Sequence, residues 1–290
     1  MRILIELPTW LGDAVMTTPA IENIANFQNE IEITLIGSFI SIEALKNHPK
    51  VVKTIVLDKK YTSLVKILRE LGSFDIFLSF RNSFRTKFLK LLISSNNKHQ
   101  FSKTKYQNRH QVEKYNDFIN ESLNTNFPAG KLLLHTINST ISTDKLLLGI
   151  NPGASYGSAK RWYPQEFSQV AAKLSSEFDI VIFGSLDEID IAKDIEKLLI
   201  EKGVINYKNF AGKTTISELI NQISSLDLFI TGDSGPMHIA AAFEVTTVAI
   251  FGPTRDDETS QWMNEKSVIV KKNLDCQPCM QRTCPLQHHN

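Results

Sequence analysis

The chain is predicted to be an α/β protein of two domains, each a parallel sheet with helices on both faces. Two observations predict it. Apolar, β-branched-rich runs of strand length alternate with helical stretches along the chain, and such alternation builds parallel strands joined by crossover helices. The alternation breaks once, at the polar stretch 136–144, and then starts afresh. The 290 residues therefore divide into two Rossmann-like domains of ordinary size, expected at 1–140 and 145–290.

Taken in order, the first half carries strand candidates at 2–7, 31–36, 51–57 and 74–80. The second carries them at 146–150, 180–183, 226–230 and 246–251, with helices expected from Gln165 to about Ser176 and from near Ser217. A hydrophobic fraction of 42% is ample for two cores, and a formal charge of +1 argues against a globally basic nucleic-acid binder. No apolar run approaches the roughly 18 residues of a membrane span. Met1-Arg2 leads directly into a strand candidate, without a signal-peptide pattern. A cytoplasmic protein is expected, with any membrane contact peripheral.

Three strand-to-helix junctions carry the chemistry. The first to consider is Thr231-Gly232-Asp233-Ser234-Gly235-Pro236-Met237-His238, which opens a helix of small residues. Glycines allow a sharp turn, and Pro236 suits the start of a helix, where its missing N–H costs nothing. The free amides of such a start, with the helix dipole behind them, bind anions. Asp233 and His238 add an acceptor and a donor. A plain N-capped turn, with Asp or Ser as cap, is the competing interpretation. The second junction is Asn151-Pro152-Gly153-Ala154-Ser155-Tyr156-Gly157-Ser158-Ala159-Lys160-Arg161-Trp162. A glycine-containing loop with two adjacent cations suits a diphosphate. The third follows the first strand candidate: Pro8-Thr9-Trp10-Leu11-Gly12-Asp13-Ala14-Val15-Met16. Asp13 stands where a helix begins, so it is either an N-cap or a catalytic carboxylate.

Other nucleotide motifs fail. Gly212-Lys213-Thr214 ends like a P-loop, but position 207 holds tyrosine where that motif needs glycine. The first strand candidate is not followed by Gly-x-Gly-x-x-Gly. No Asp-x-Asp pair is present to hold a metal on a sugar nucleotide, so a diphosphate would be neutralised by protein groups alone.

Together, and in this order, these stretches resemble glycosyltransferase family nine, the ADP-heptose:lipopolysaccharide heptosyltransferases. The opening through Ala20, the loop at 151–162, the 232–243 turn, the following Val248-Ala249-Ile250-Phe251-Gly252-Pro253-Thr254 and the cysteine tail all carry the resemblance. It runs from end to end, is weakest between about 40 and 134, and is nearest to the branch that adds the second core heptose. It implies the GT-B fold, an N-terminal acceptor domain and a C-terminal donor domain. It also implies inverting, metal-independent transfer from ADP-L-glycero-β-D-manno-heptose to heptosyl-Kdo-lipid A at the cytoplasmic face of the inner membrane, with no cofactor and no nucleic acid.

Residue by residue, the resemblance makes Asp13 the general base and Lys160 the group that assists departure of ADP. It places Ser155, Lys160, Arg161, Asp233, Ser234, Gly235, Pro236, Met237 and His238 around the donor. Thr214 and Thr215 fall where the family contacts adenine. Glu188 is placed for the ribose hydroxyls, or is a helix-start carboxylate. Trp10, Arg81, Arg85 and Lys87 are expected on the acceptor side. Nine cations lie between 81 and 114 against Glu113 alone, with Phe84, Phe88, Leu91 and Leu92 at near-helical spacing. That stretch is either a solvated helix face plus a mobile loop or a patch that meets an anionic glycolipid.

Two further possibilities stay open: a family relative with another acceptor, such as the first heptosyltransferase, and a non-catalytic nucleotide-sugar-binding module. An epimerase of similar fold would not need the basic stretch. The three cysteines fall within nine positions, Cys276, Cys279 and Cys284, and His288 and His289 follow. Odd in number in a cytoplasmic chain, they do not read as a disulfide framework. They have ligand types suited to zinc but no matching zinc spacing, and no metal is expected. Relatives continue beyond the position of Asn290, so a further ligand or helix is expected past it.

Overall fold

A computed structural model describes residues 1–57, 71–136 and 144–286. The chain forms two compact units, Met1–His135 and Thr136–Asn290. Most of the polar stretch expected as a linker, 137–143, lies outside the described residues, as do His288 and His289.

The first unit holds five parallel strands: β1 (Arg2–Glu6), β2 (Glu32–Gly37), β3 (Val51–Val56), β4 (Ser73–Ser79) and β5 (Ser94–Gln100). Their order is β3-β2-β1-β4-β5. The central strand pairs on both sides, with Ile3 opposite Ile33 and Ile76. Ile3, Leu4 and Ile5 are fully buried, which is why β1 reads as an unbroken apolar run rather than an alternating one. The described helices of this unit are α1 (Leu11–Met16), α2 (Thr18–Ala25), α3 (Phe39–Leu45), α4 (Phe84–Leu92) and α5 (Gln111–Leu123).

The second unit holds six parallel strands: β6 (Leu146–Asn151), β7 (Phe178–Ile182), β8 (Tyr207–Asn209), β9 (Leu228–Gly232), β10 (Thr246–Ile250) and β11 (Ser267–Val270). Read from one edge the order is β8-β7-β6-β9-β10-β11, the 3-2-1-4-5-6 winding of a dinucleotide-binding fold. Five helices follow: α6 (Pro164–Leu174), α7 (Ile189–Glu201), α8 (Ile216–Ser224), α9 (Gly235–Ala242) and α10 (Asp256–Thr259). Phe167, Ala171, Ile180, Ile182, Ala192 and Ile195 form the centre of its largest core cluster, with Trp162 packed against it.

Three strands were not expected from the sequence: β5, β8 and β11. All three are sheet edges. An edge strand needs no continuous apolar run, and Ser94-Ser95-Asn96-Asn97-Lys98-His99-Gln100 shows the point. The same strand lies within the basic stretch 81–114, beside the helix expected there. Phe84–Leu92 is helix there and Gln111 begins α5; the rest is loop and the edge strand. The charge of the stretch is partly compensated. Lys105 pairs with Glu121, Arg109 with Glu113 and Asp117, and Arg81 with Glu6. What remains on α4 is an exposed mixed face, with Phe84 83% and Leu91 79% exposed and Lys87 between them.

Candidate functional site

In a doubly wound sheet the loops diverge where the strand order reverses, and the crevice at the carboxyl ends of those strands takes the ligand. In the second unit that point lies between β6 and β9. Asn151, buried at the end of β6, points its Nδ2 toward Gly153 O (3.3 Å), Thr231 Oγ1 (3.4 Å) and Ser234 Oγ (3.2 Å). One side chain thus ties the loop after β6 to the turn after β9. Gly232 lets the two approach, since a Cβ there would stand 3.0 Å from the Lys160 carbonyl oxygen.

Lys160 reaches across this junction. Its Nζ lies 2.5 Å from Asp233 Oδ2 and 3.1 Å from Asp233 O. Thr254, beyond β10, donates to the same Oδ2 at 2.6 Å. Lys160 and Asp233 are both largely buried. Ser234 occupies the N-cap position of α9 without capping it, because its hydroxyl faces Thr231 and Asn151. The amide of Gly235, which begins the helix, therefore has no side-chain cap, as an anion site requires. Pro236 sits in the first turn, while Met237 and His238 are buried behind it.

Arg161 turns its Nη2 back to the Ala154 carbonyl (3.5 Å), clasping the loop on itself. Ser155 is exposed at the loop's crest. Although no hydrolase elbow is expected of this chain, Gly153 to Gly157 has the Gly-x-Ser-x-Gly spacing of one. The geometry is not that of an elbow: helix α6 starts only at Pro164, and no described histidine hydrogen-bonds Ser155. Trp162 packs edge-on against Phe167 at 5.1 Å, anchoring the loop to the core.

Glu188 is buried, and its Oε2 accepts from the Ser185 amide at 2.8 Å in a capping box. Its carboxyl packs on Gly153, where a Cβ would lie 2.2 Å from Oε1. The helix-start interpretation thus describes one oxygen, and Oε1 is not engaged by any described residue. Thr215 caps α8 through a capping box with Glu218, so its side chain serves the helix. Thr214 precedes it in the half-buried turn.

In the first unit the order reverses between β1 and β4. Glu6, at the end of β1, is buried and accepts from Ser79 (2.6 Å) and Thr86 (3.3 Å), with Arg81 Nη1 at 3.6 Å. Burial pushes its carboxyl above the usual range against those three partners. Arg81 and Arg85 therefore both face Glu6 electrostatically, whereas Lys87 is exposed on α4. Trp10 is exposed and holds the N-cap position of α1 without a side-chain cap. Asp13 is the third residue of that helix, which corrects the N-cap alternative. Its Oδ1 accepts a hydrogen bond from the Tyr115 hydroxyl at 3.3 Å. Burial and the Asp13 charge push the Tyr115 phenol well above its ordinary value, so it stays neutral and donates.

The sequence reading missed Glu6, Tyr115 and Thr254. Glu6 had a signal, a lone carboxylate closing an otherwise apolar strand. The other two are ordinary residues that meet Asp13 and Asp233 only through contacts distant in sequence. Among the described residues the cysteines are not gathered as ligands; the one cluster of ligand type is Glu22, His48 and His135 in the first unit. It is poorly suited to a metal. His48 Nδ1 already accepts from the Lys50 amide, so Nε2 carries the proton, which it gives to Glu22 at 3.0 Å, and metal-bound histidine needs the reverse.

Comparison with known proteins agrees with this architecture. The chain is 42% identical over 298 aligned positions to lipooligosaccharide heptosyltransferase 2 of Campylobacter jejuni, covering 100% of this chain and 92% of that one. It is 26% identical to lipopolysaccharide heptosyltransferase 1 of Campylobacter coli, over 88% of this chain and 84% of that one. The solved structure of E. coli ADP-heptose lps heptosyltransferase II matches with a TM-score of 0.80 at 23% identity, over 93% of this chain and 90% of that one, a likeness of GT-B fold. The model of glycosyltransferase family 9 (heptosyltransferase) matches residues 63–290, and the chain belongs to that family.

Proposed function

We propose that the protein transfers L-glycero-D-manno-heptose, with inversion, from ADP-L-glycero-β-D-manno-heptose to the first heptose of the lipopolysaccharide inner core, heptosyl-Kdo-lipid A. The Lys160–Asp233 pair at the uncapped start of α9 is the observation that carries it. It sets one cation and the free Gly235 amide at the point where this winding binds a nucleotide. The choice of the second heptose over the first rests on the 42% against 26% identity to the two kinds of relative.

The second unit is the donor domain. Lys160, Arg161 and the Gly235 amide take the diphosphate and stabilise charge on the departing ADP, often the largest single contribution to catalysis; the Met237 amide, expected to join them, instead donates to Ser234 O at 3.1 Å. Ser155, Ser234, Asp233 and His238 border the donor sugar and phosphates, Glu188 Oε1 the ribose, and Thr214 and Thr215 the adenine through backbone. The first unit is the acceptor domain. Asp13 removes the proton of the attacking hydroxyl as the sugar passes through an oxocarbenium-like state, and Trp10, Arg81, Arg85 and Lys87 serve the acceptor. The reaction uses no metal, so EDTA leaves the rate unchanged. The protein works in the cytoplasm, peripheral to the inner membrane; no described helix is long and apolar enough to cross a membrane.

The test is incubation with ADP-heptose and acceptors bearing zero, one or two heptoses, followed by mass spectrometry. Gain of one heptose on the one-heptose acceptor is the expected result. Transfer to the heptose-free acceptor alone would reassign the enzyme to the first step.

A further inference from the structure

The cysteine-bearing tail, residues 274–286, is tied to the loop that carries Lys160 and to the loop that carries Thr254, which bonds Asp233. Gln277 Nε2 donates to Gly252 O (3.0 Å) and the Met280 amide to Pro253 O (2.8 Å), immediately before Thr254. The Tyr156 hydroxyl donates to Met280 O (2.6 Å), and the Ala159 amide to Arg282 O (3.1 Å). The tail therefore straps the loop after β10 to the loop after β6. Gly157 makes the approach possible, because a Cβ there would lie 2.2 Å from the Arg282 carbonyl oxygen.

The strap brings a second cation to the loop. The Arg282 guanidinium lies 5.4 Å from the centre of the Tyr156 ring, and Lys160 Nζ lies 4.8 Å from the same centre. Lys160 is matched by Asp233. Arg282 is exposed, and no described carboxylate pairs with it. Two cations drawn to one ring, only one of them paired with a carboxylate, leave an excess of positive charge at the loop after β6. A polyanion with closely spaced charges balances it, and a guanidinium fork suits adjacent phosphate oxygens.

We propose that Arg282 is a further diphosphate-binding residue of the donor site, delivered to it by the strap. The assignment rests on the donor reading given above. It gives the tail a role that does not depend on its cysteines as metal ligands.

Calorimetry with ADP and with adenosine tests it on the full chain. Arg282→Ala is expected to weaken ADP about tenfold, the size of one exposed charge-assisted contact, and to leave adenosine unchanged. Arg282→Lys should recover part of the loss. Gly157→Ala, which displaces the strap, should weaken ADP in the same way, and combined with Arg282→Ala should add little. Unchanged ADP affinity in Arg282→Ala, or equal losses for ADP and adenosine, overturns the proposal. Lys160→Ala measured alongside separates the two readings. If it too binds ADP normally, the donor site itself is misplaced; if it alone is weakened, only the role of Arg282 falls.

Discussion

Lys160 and Asp233, 73 positions apart in sequence, form a largely buried ion pair at 2.5 Å. Thr254 donates to the same carboxylate oxygen, so the ammonium is held in one place before any ligand arrives. A pre-set cation avoids part of the ordering cost of binding an anion. The pair also serves the fold, because either partner left alone would be a buried, uncompensated charge.

That double duty makes a separable prediction. Lys160→Ala is expected to destabilise the protein by about 3–5 kcal/mol, the usual cost of breaking a buried pair from one side, and to weaken ADP. Lys160→Ala combined with Asp233→Asn removes the orphaned charge, so Tm should largely recover while ADP affinity stays low. Thermal melts and calorimetry on the two variants decide it. Return of ADP affinity together with stability would confine Lys160 to a structural role.

The exposed face of α4 gives a second prediction. Arg81 and Arg85 face the buried Glu6, so reversing their charge would damage the fold before it reported on the acceptor. Lys87 and Lys90 have no such partner among the described residues. Changing both to glutamate should raise the acceptor KM at low salt, with the difference shrinking as salt rises, and leave ADP affinity alone. Acceptor kinetics that are equal at both salt concentrations would make the face ordinary solvated surface.

A third concerns pH. The His48 hydrogen bond, ahead of the opposing effect of burial, holds the Glu22 carboxyl below its ordinary value of 4.5. A carboxylate lowered in the folded state stabilises it above the unfolded value, and that stability is lost as pH falls through the folded value. Glu22→Gln should therefore lower Tm at neutral pH, and the gap to wild type should close as pH falls below about 4.5. A Tm difference independent of pH would show that the cluster with His48 and His135 contributes through packing alone.

How much of this was legible beforehand follows burial and sequence distance. The central strands, such as β1 with Ile3, Leu4 and Ile5, are buried on both faces and announce themselves as apolar runs. The edges β5, β8 and β11 do not, since half their surface is free to be polar. In the site, glycines and cations clustered within one loop were visible, as at 151–162. The partners that give them direction were not. Tyr115 is 102 residues from Asp13 and Arg282 sits 126 residues past Tyr156, and no local pattern marks either. Asp13 itself was visible only as a choice between N-cap and base. The third-residue position in α1 removes the first alternative and leaves the carboxylate oriented by a phenol.

Asp13 therefore yields the sharpest prediction. Asp13→Asn keeps the size of the side chain and an oxygen for the Tyr115 hydroxyl, but it cannot take a proton. Fold and ADP affinity should survive, and kcat should fall by about 10²–10⁴, the usual contribution of a general base. Tyr115→Phe separates orientation from proton transfer. It removes the bond at 3.3 Å and leaves the carboxylate, so its loss of kcat should be much smaller than that of Asp13→Asn. If Asp13 only supported the start of α1, the two variants would lose on the order of 1 kcal/mol of stability, read as a lowered Tm, and turn over normally. Near-wild-type kcat in Asp13→Asn would move the base elsewhere in the first unit, and Glu6, already held protonation-prone by burial, would be the carboxylate to test next.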